Sequence, residues 1–146
     1  MTRINGGVHP SELPRSALIA EHREITRVPN AVRRNPNVNA AALPESFRLG
    51  EGHVRFFYNK LFYLRVRYIS LYGECIRRGY NVTDKSSAFD GLPSHLMGYW
   101  IPSETDRQLT LARLEERGHE LIVQNTVIHE DEAAEFACGG LGSEEI

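Results

Sequence analysis

The first residues of the chain offer an unusual candidate nucleophile. Thr2 follows the initiator methionine, so removal of Met1 would leave the α-amine of Thr2 free. An α-amine has a pKa of about 7.7–8.0, against about 10.4 for a lysine side chain, so a sizeable fraction of it is neutral near pH 7. A neutral amine can attack an electrophilic sugar carbon and form an imine without a cofactor. The sequence therefore makes Thr2 a candidate catalytic residue, and retention of Met1 would block it.

A second candidate lies on the helix predicted from Pro14 to Arg34. The apolar positions of this helix follow a spacing of seven, three and four and form one face: Leu18, Ile25, Val28 and Val32. On a helical wheel Arg23, Arg27 and Arg34 fall opposite that face, as a basic stripe suited to phosphate oxygens. Glu24 lies on the border, where arginines would hold a partly desolvated carboxylate in place. An ordinary solvated helix face has the same pattern, so the stripe alone does not decide the function.

Other catalytic and metal-binding patterns are not found in the sequence. The six histidines lack metal-ligand spacing, and the chain has no Cys-x-x-Cys pair, phosphate-binding glycine loop or Gly-x-Ser-x-Gly motif. We therefore expect no metal and no cofactor. Cys75 and Cys138 do not form a disulfide framework, and no stretch resembles a signal peptide or a membrane span. These features favour a cytoplasmic, intracellular monomer without membrane association.

Three helices account for the periodic segments. Pro29 is expected to kink the first helix, since proline removes a backbone donor. The second is the clearest, because apolar residues recur three and four apart over residues 54–75, and Gly79 is a plausible stop. The third begins at the N-cap Ser103, carries Leu109, Ala112 and Leu114, and ends near Gly118. With no segment alternating as a strand, the sequence predicts an all-α fold: one compact domain of three main helices with long loops.

The net charge of −2 conceals a strong asymmetry. All 17 Lys and Arg lie within residues 1–117, together with 12 Asp and Glu, which gives +5. Residues 118–146 hold the other 7 acidic residues and no basic one, which gives −7. A basic body favours a polyanionic partner, whereas the acidic end would repel one. We therefore divide the chain into a domain at residues 1–128 and an acidic tail at residues 129–146.

Four stretches of the chain are similar to one known family. MTRIN, LIAEHREITRVPNAVR, LGEGHVRFFYNKLFYLRVRYISLYGECIRRGYNV and YWIPSETDRQLTLARLEER resemble the endonuclease V type of pyrimidine-dimer DNA glycosylases, which excise UV photoproducts. The resemblance runs from Met1 to about Arg117. It implies a single helical domain whose N-terminal arm is inserted between helices and reaches the active site.

The resemblance also implies a mechanism and a set of site residues. The α-amine of Thr2 would attack the anomeric carbon of the 5′ sugar of the dimer and form a protonated imine, which Glu24 would stabilise. β-Elimination would then cut the strand, making the enzyme both a glycosylase and an abasic-site lyase. The partner would be double-stranded DNA that contains pyrimidine dimers, held by the arginines that match the family's DNA-contacting positions: Arg3, Arg23, Arg27, Arg113 and Arg117.

Two departures from the family leave alternatives open. The chain ends in an acidic segment rather than a basic, aromatic one, which would suit an abasic-site lyase or glycosylase of broader lesion range. A non-catalytic DNA-binding module is the alternative if Met1 is retained. Gly6 and Gly7 replace the bulkier residues expected there, which predicts a looser arm around Thr2.

Overall fold

A computed structural model describes residues 2–121 and shows a helical domain. No strand occurs in that range, and an isolated bridge joins Lys60 to Met97. The all-α prediction is confirmed, whereas the boundary at residue 128 and the acidic tail lie outside the described residues. The α-helices are α1 (Arg15–Glu24), α2 (Arg27–Arg34), α3 (His53–Phe56), α4 (Leu61–Arg77) and α5 (Glu104–Glu116), and short 3₁₀ turns lie before α1 and in the connections after α2.

The first predicted helix is broken rather than kinked. In one continuous helix the residue at position 29 would donate its N–H to the carbonyl of Ile25, but Pro29 has no N–H and its ring would clash with that carbonyl. The chain therefore ends α1 at Glu24 and begins α2 at Arg27. In α2, Pro29 falls within the first turn, where backbone N–H groups have no partner inside the helix. Arg23 and Arg27 consequently belong to different helices.

The second predicted helix is interrupted by a loop that pairs with its backbone. Gly98 donates its N–H to the carbonyl of Asn59 at 3.2 Å, and its own carbonyl accepts from the N–H of Tyr63 at 3.1 Å. These two bonds replace the helical bond between Tyr63 and Asn59, so α3 ends in a 3₁₀ turn before α4 begins. Gly79 ends α4 as predicted, with φ at +80° and a bond from Tyr80 N–H to the Cys75 carbonyl.

The core lies between α1 and α4 and continues into an aromatic cluster. The apolar stripe predicted over residues 54–75 belongs to the core. Val54 is half-buried, and the other six members of the stripe are fully buried: Phe57, Leu61, Leu64, Tyr68, Leu71 and Cys75. Around Trp100 pack the rings of Phe47, Phe56, Phe57 and Tyr63, with centroids 5.0–5.6 Å from the indole. Ile4 and Val8 of the N-terminal arm (residues 2–9) are also fully buried. The arm therefore runs through the core.

Helix α5 has the predicted ends but a different buried face. Ser103 caps its start, exchanging hydrogen bonds with Asp106, and Gly118 follows its end with φ at +74°. Leu109 is 40% exposed and Ala112 is also exposed, whereas the buried residues are Thr110, Arg113 and Leu114. This face is polar because it covers the backbone of the arm, whose carbonyls need hydrogen-bond donors.

A pair of glycine variants tests how tightly the arm is packed. A Cβ at Gly6 would lie 2.8 and 2.9 Å from two ring atoms of Trp100, whereas a Cβ at Gly73 in α4 would meet nothing within 4 Å. We expect Gly6→Ala to lower the free energy of unfolding by about 1–3 kcal/mol through overpacking. The control Gly73→Ala should raise it by about 0.5–1 kcal/mol, because alanine is favoured over glycine inside a helix. Urea denaturation measures both; equal stability of the two variants would contradict the packing described.

Candidate active site

Helix α5 holds the arm through three side chains that donate to backbone carbonyls. Arg107 Nη1 donates to the Gly7 carbonyl at 3.0 Å, Thr110 Oγ1 to that of Gly6 at 2.7 Å, and Arg113 Nη2 to that of Ile4 at 3.2 Å. Each donor satisfies a carbonyl that the arm could not otherwise bury without cost.

The two glycines of the arm allow this close approach. A Cβ at Gly7 would lie 2.9 Å from the Cα of Arg107, and the φ of Gly7 is +85°, a conformation that suits glycine. The looser arm expected from Gly6 and Gly7 is therefore not seen. Their small size lets the arm lie directly against α5 on one side and Trp100 on the other.

A buried charge network holds the side chain of Asn5. Asn5 Nδ2 donates to Glu21 Oε1 at 2.8 Å, and Arg113 Nη2 donates to Asn5 Oδ1 at 3.3 Å. Arg67 is fully buried and pairs with both oxygens of Glu21. Removing one partner of such a pair would leave an uncompensated charge, which is strongly destabilising. The network thus connects the arm to α1, α4 and α5.

Sequence reasoning missed this pair, although a signal was present. Glu21 falls three residues after Leu18 and four before Ile25, on the apolar face of the first helix, and Arg67 falls three residues after Leu64. A charge of each sign at core positions of two predicted helices is typical of a buried ion pair. The sequence does not show that α1 and α4 pack against each other, and this packing is what brings the two charges together.

His53 binds the arm as a neutral imidazole. Its Nε2 accepts the N–H of Ile4 at 2.9 Å, and its Nδ1 donates to the carbonyl of Arg48 at 2.8 Å, which fixes the tautomer. Burial lowers the pKa of His53 to about 4, with a further decrease from the charge of Arg113; the Arg48 carbonyl and Glu21 act in the opposite direction. The imidazole can therefore accept from the arm throughout the neutral range.

Glu24 meets the arm one residue after the candidate nucleophile. Its Oε1 accepts the N–H of Arg3 at 3.1 Å, and its Oε2 accepts from Arg23 Nη2 at 3.3 Å. The carboxylate side chain is 9% exposed, whereas that of Arg23 is 56% exposed, in agreement with the predicted border position. Covalent geometry limits the distance from the nitrogen of Thr2 to Glu24 Oε1 to about 7 Å.

A small surface cleft opens beside Glu24. Its charged and titratable lining residues are Arg3, Glu21, Glu24, Arg113, Arg117 and His119. The Nε of Arg3 is buried and has no hydrogen-bond partner among residues 2–121. The structure thus brings together Arg3, Glu24 and Arg117, with Thr2 adjacent in the chain.

The other predicted site residues lie at different places. Arg23 is bound to Glu24 at the edge of the cleft, and Arg27 is exposed at the start of α2, outside the residues that line the cleft. Arg113 lines the cleft but is only 8% exposed and holds the arm. Burial lowers the pKa of Arg113 to about 10, and the charges of Arg117 and Arg3 contribute to the decrease. A DNA contact by Arg113 stays a prediction.

Two further findings concern the part of the chain that the structure describes. Residues 2–121 contain no group of three or more His, Cys, Asp or Glu side chains placed to hold a metal ion. In the same range, no helix combines the length and the apolar character that crossing a bilayer requires.

The pKa of His53 predicts a pH dependence of stability. The pKa of His53 is lowered from 6.5 to about 4 in the folded protein. Between these two pH values the unfolded chain binds a proton at His53 and the folded chain does not. The contribution of the neutral His53 to the free energy of unfolding is therefore complete above pH 6.5 and is lost as the pH falls towards 4. We expect the wild type to lose about 2–3 kcal/mol more than His53→Gln between about pH 7 and about pH 4.5. The amide oxygen of Gln can still accept from Ile4 but does not titrate. Parallel urea curves at the two pH values measure the difference; identical losses would contradict a buried neutral His53.

Comparison with known protein families finds a match over the first part of the chain. The model of the family described as pyrimidine dimer DNA glycosylase matches residues 1–87. The match covers the arm and helices α1 to α4, including Thr2, Arg3, Arg23, Glu24 and Arg27, and ends before α5. Since it spans more than half of the 146 residues, the chain belongs to the pyrimidine dimer DNA glycosylase family, whose members are DNA repair enzymes that act on pyrimidine dimers.

Proposed function

We propose that this protein excises cyclobutane pyrimidine dimers from double-stranded DNA and then cuts the strand as an abasic-site lyase, using the α-amine of Thr2 exposed by removal of Met1. The observation that carries the proposal is the hydrogen bond from the Arg3 amide to Glu24. It holds the residue next to Thr2 against a carboxylate at the edge of a cleft that Arg3 and Arg117 also line.

The chemistry requires positive charge to form beside a fixed negative charge. The neutral amine of Thr2 attacks C1′ of the 5′ nucleotide and displaces the base, which leaves with the electron pair of the glycosidic bond and takes up a proton. The sugar ring then opens as the C1′–O4′ bond breaks and O4′ takes up a proton, and a cationic imine remains. Glu24 is already oriented by Arg3 and Arg23, so its carboxylate stabilises the cation without reorganisation. Loss of the C2′ proton and departure of the 3′ phosphate then complete β-elimination. None of these steps calls for a metal or a cofactor.

Exposed arginines provide a surface for the DNA backbone. Arg23, Arg27 and Arg34 are exposed along α1 and α2, and Arg117 is exposed beside the cleft. Residues 1–117 carry a charge of +5. Phosphates bound along this surface would bring a damaged sugar to the cleft, and we propose that the protein does this as a monomer on intracellular DNA.

The first test compares two forms of the same chain. One form begins at Thr2, released from an N-terminal fusion by a protease that leaves no extra residue; the other retains Met1. We expect only the first form to release the base and cut an oligonucleotide that carries one site-specific dimer, because Met1 acylates the nucleophile. Cleavage by both forms would contradict the role of Thr2. Cleavage of an abasic site but not of the dimer would favour the broader lyase, and DNA binding by both forms without cleavage would favour a binding module.

A second prediction isolates the charge of Glu24. Glu24→Gln keeps an oxygen that can accept from the Arg3 amide but removes the negative charge. We expect base release to fall by about 10²-fold or more, since charge stabilisation in the transition state is lost, while DNA affinity stays close to that of the wild type. Glu45→Gln, an exposed carboxylate in a loop, is the control. Undiminished base release by Glu24→Gln would exclude this assignment.

A third prediction concerns the basic surface. We expect Arg27→Ala to weaken binding to damaged and undamaged duplex alike and to reduce the log–log salt slope by about 0.9, the loss of one phosphate contact. Arg15→Ala is a matched control at the far end of α1, where the guanidinium lies 4.7 Å from the Tyr80 ring centroid. Titrations across a range of salt concentrations measure both slopes. An equal change in the two variants would mean that Arg27 acts only through net charge.

A further inference from the structure

The three donors of α5 bind three carbonyls of the arm in one register. Positions 107, 110 and 113 are three residues apart on one face of the helix, and they bind the carbonyls of Gly7, Gly6 and Ile4 in that order. The arm therefore runs antiparallel to α5. Residues 5–8 of the arm form a turn, in which the N–H of Val8 donates to the carbonyl of Asn5 at 3.2 Å, and the carbonyls of Gly6 and Gly7 within this turn both bind α5.

The two glycines prevent this register from slipping. At its present position Gly6 faces Trp100 and Gly7 faces the backbone of Arg107, and a Cβ at either site would come within 3.0 Å of these atoms. A shift of the arm by one residue would place Asn5 or Val8, which carry a Cβ, at one of the two positions. Shape on both sides and hydrogen bonds on one side thus select a single register.

We propose that α5 sets how far the N-terminus extends into the cleft, and that Thr110 is a positioning residue for the amine of Thr2. The proposal rests on the proposed function of Thr2. Thr110 is fully buried, its bond to Gly6 is the shortest of the three, and it touches neither the cleft nor Glu24. It acts through four residues of backbone whose next anchors are Ile4 at His53 and Arg3 at Glu24.

Displacement of a nucleophile by about 1 Å can reduce a rate by about 10²-fold. Loss of the Thr110 donor leaves the buried Gly6 carbonyl without its partner, and the arm has to shift to solvate it. The reaction should respond much more than DNA binding does, because Arg23, Arg27 and Arg34, three of the exposed arginines proposed to contact phosphates, lie on α1 and α2. The family model matches residues 1–87 and therefore does not include α5 or Thr110.

Three variants of the Thr2-initiated protein test the proposal. Thr110→Val removes the donor at nearly constant shape, Thr110→Ser retains the donor, and Thr105→Val makes the same change at an exposed position of α5. The measurements are the single-turnover rate of borohydride-trapped imine formation on an oligonucleotide with a preformed abasic site, the Kd for the same duplex, and the thermal midpoint. The abasic substrate isolates amine attack from recognition of the dimer.

We expect Thr110→Val to form the imine about 10²-fold more slowly than the wild type, with a Kd close to that of Thr105→Val, and Thr110→Ser to recover most of the rate. An imine rate of Thr110→Val equal to that of Thr105→Val would overturn the positioning role. A rate that falls only in proportion to the folded fraction or to DNA affinity would overturn it too, since that result indicates a purely structural residue. Absence of trapping by the wild type would instead refute the proposed function of Thr2.

Discussion

The hydrogen bond from the Arg3 amide to the Glu24 carboxylate joins the two parts of the chain on which the site depends. This bond forms because the backbone of the arm passes through the core, where the next residue, Ile4, is fully buried. Buried backbone must have its N–H and C=O groups satisfied. The surrounding elements therefore bond the backbone of the arm. Glu24 and His53 accept its N–H groups, and side chains of α5 donate to its carbonyls.

This arrangement explains why charged and polar groups occupy positions that would otherwise be apolar. The Glu21–Arg67 pair is buried among helices and binds the arm through Asn5. Buried pairs of this kind contribute little net stability, and their better-attested role is to select one arrangement among several. Here they define where the arm enters, while a neutral His53 accepts from it without adding charge near the arginines.

The sequence predicted the fold class and the largely buried border position of Glu24, because those features depend on local patterns. Gly79 and Ser103 mark helix ends through their own conformations and side chains. The breaks were harder to predict: the first follows from Pro29 but was expected as a kink, and the second depends on Gly98, which is distant in sequence. The polar face of α5 also depends on a partner distant in sequence, so periodicity in Leu109 and its neighbours was misleading.

The central claim is that the nucleophile is the amine one residue before Arg3. The most direct measurement is borohydride reduction of the protein on an oligonucleotide with one site-specific dimer, followed by mass spectrometry of the N-terminal peptide. The account predicts a covalent sugar adduct on the α-amine of Thr2, in a peptide that lacks Met1. An adduct on a lysine such as Lys60, or no adduct while the strand is still cut, would contradict it.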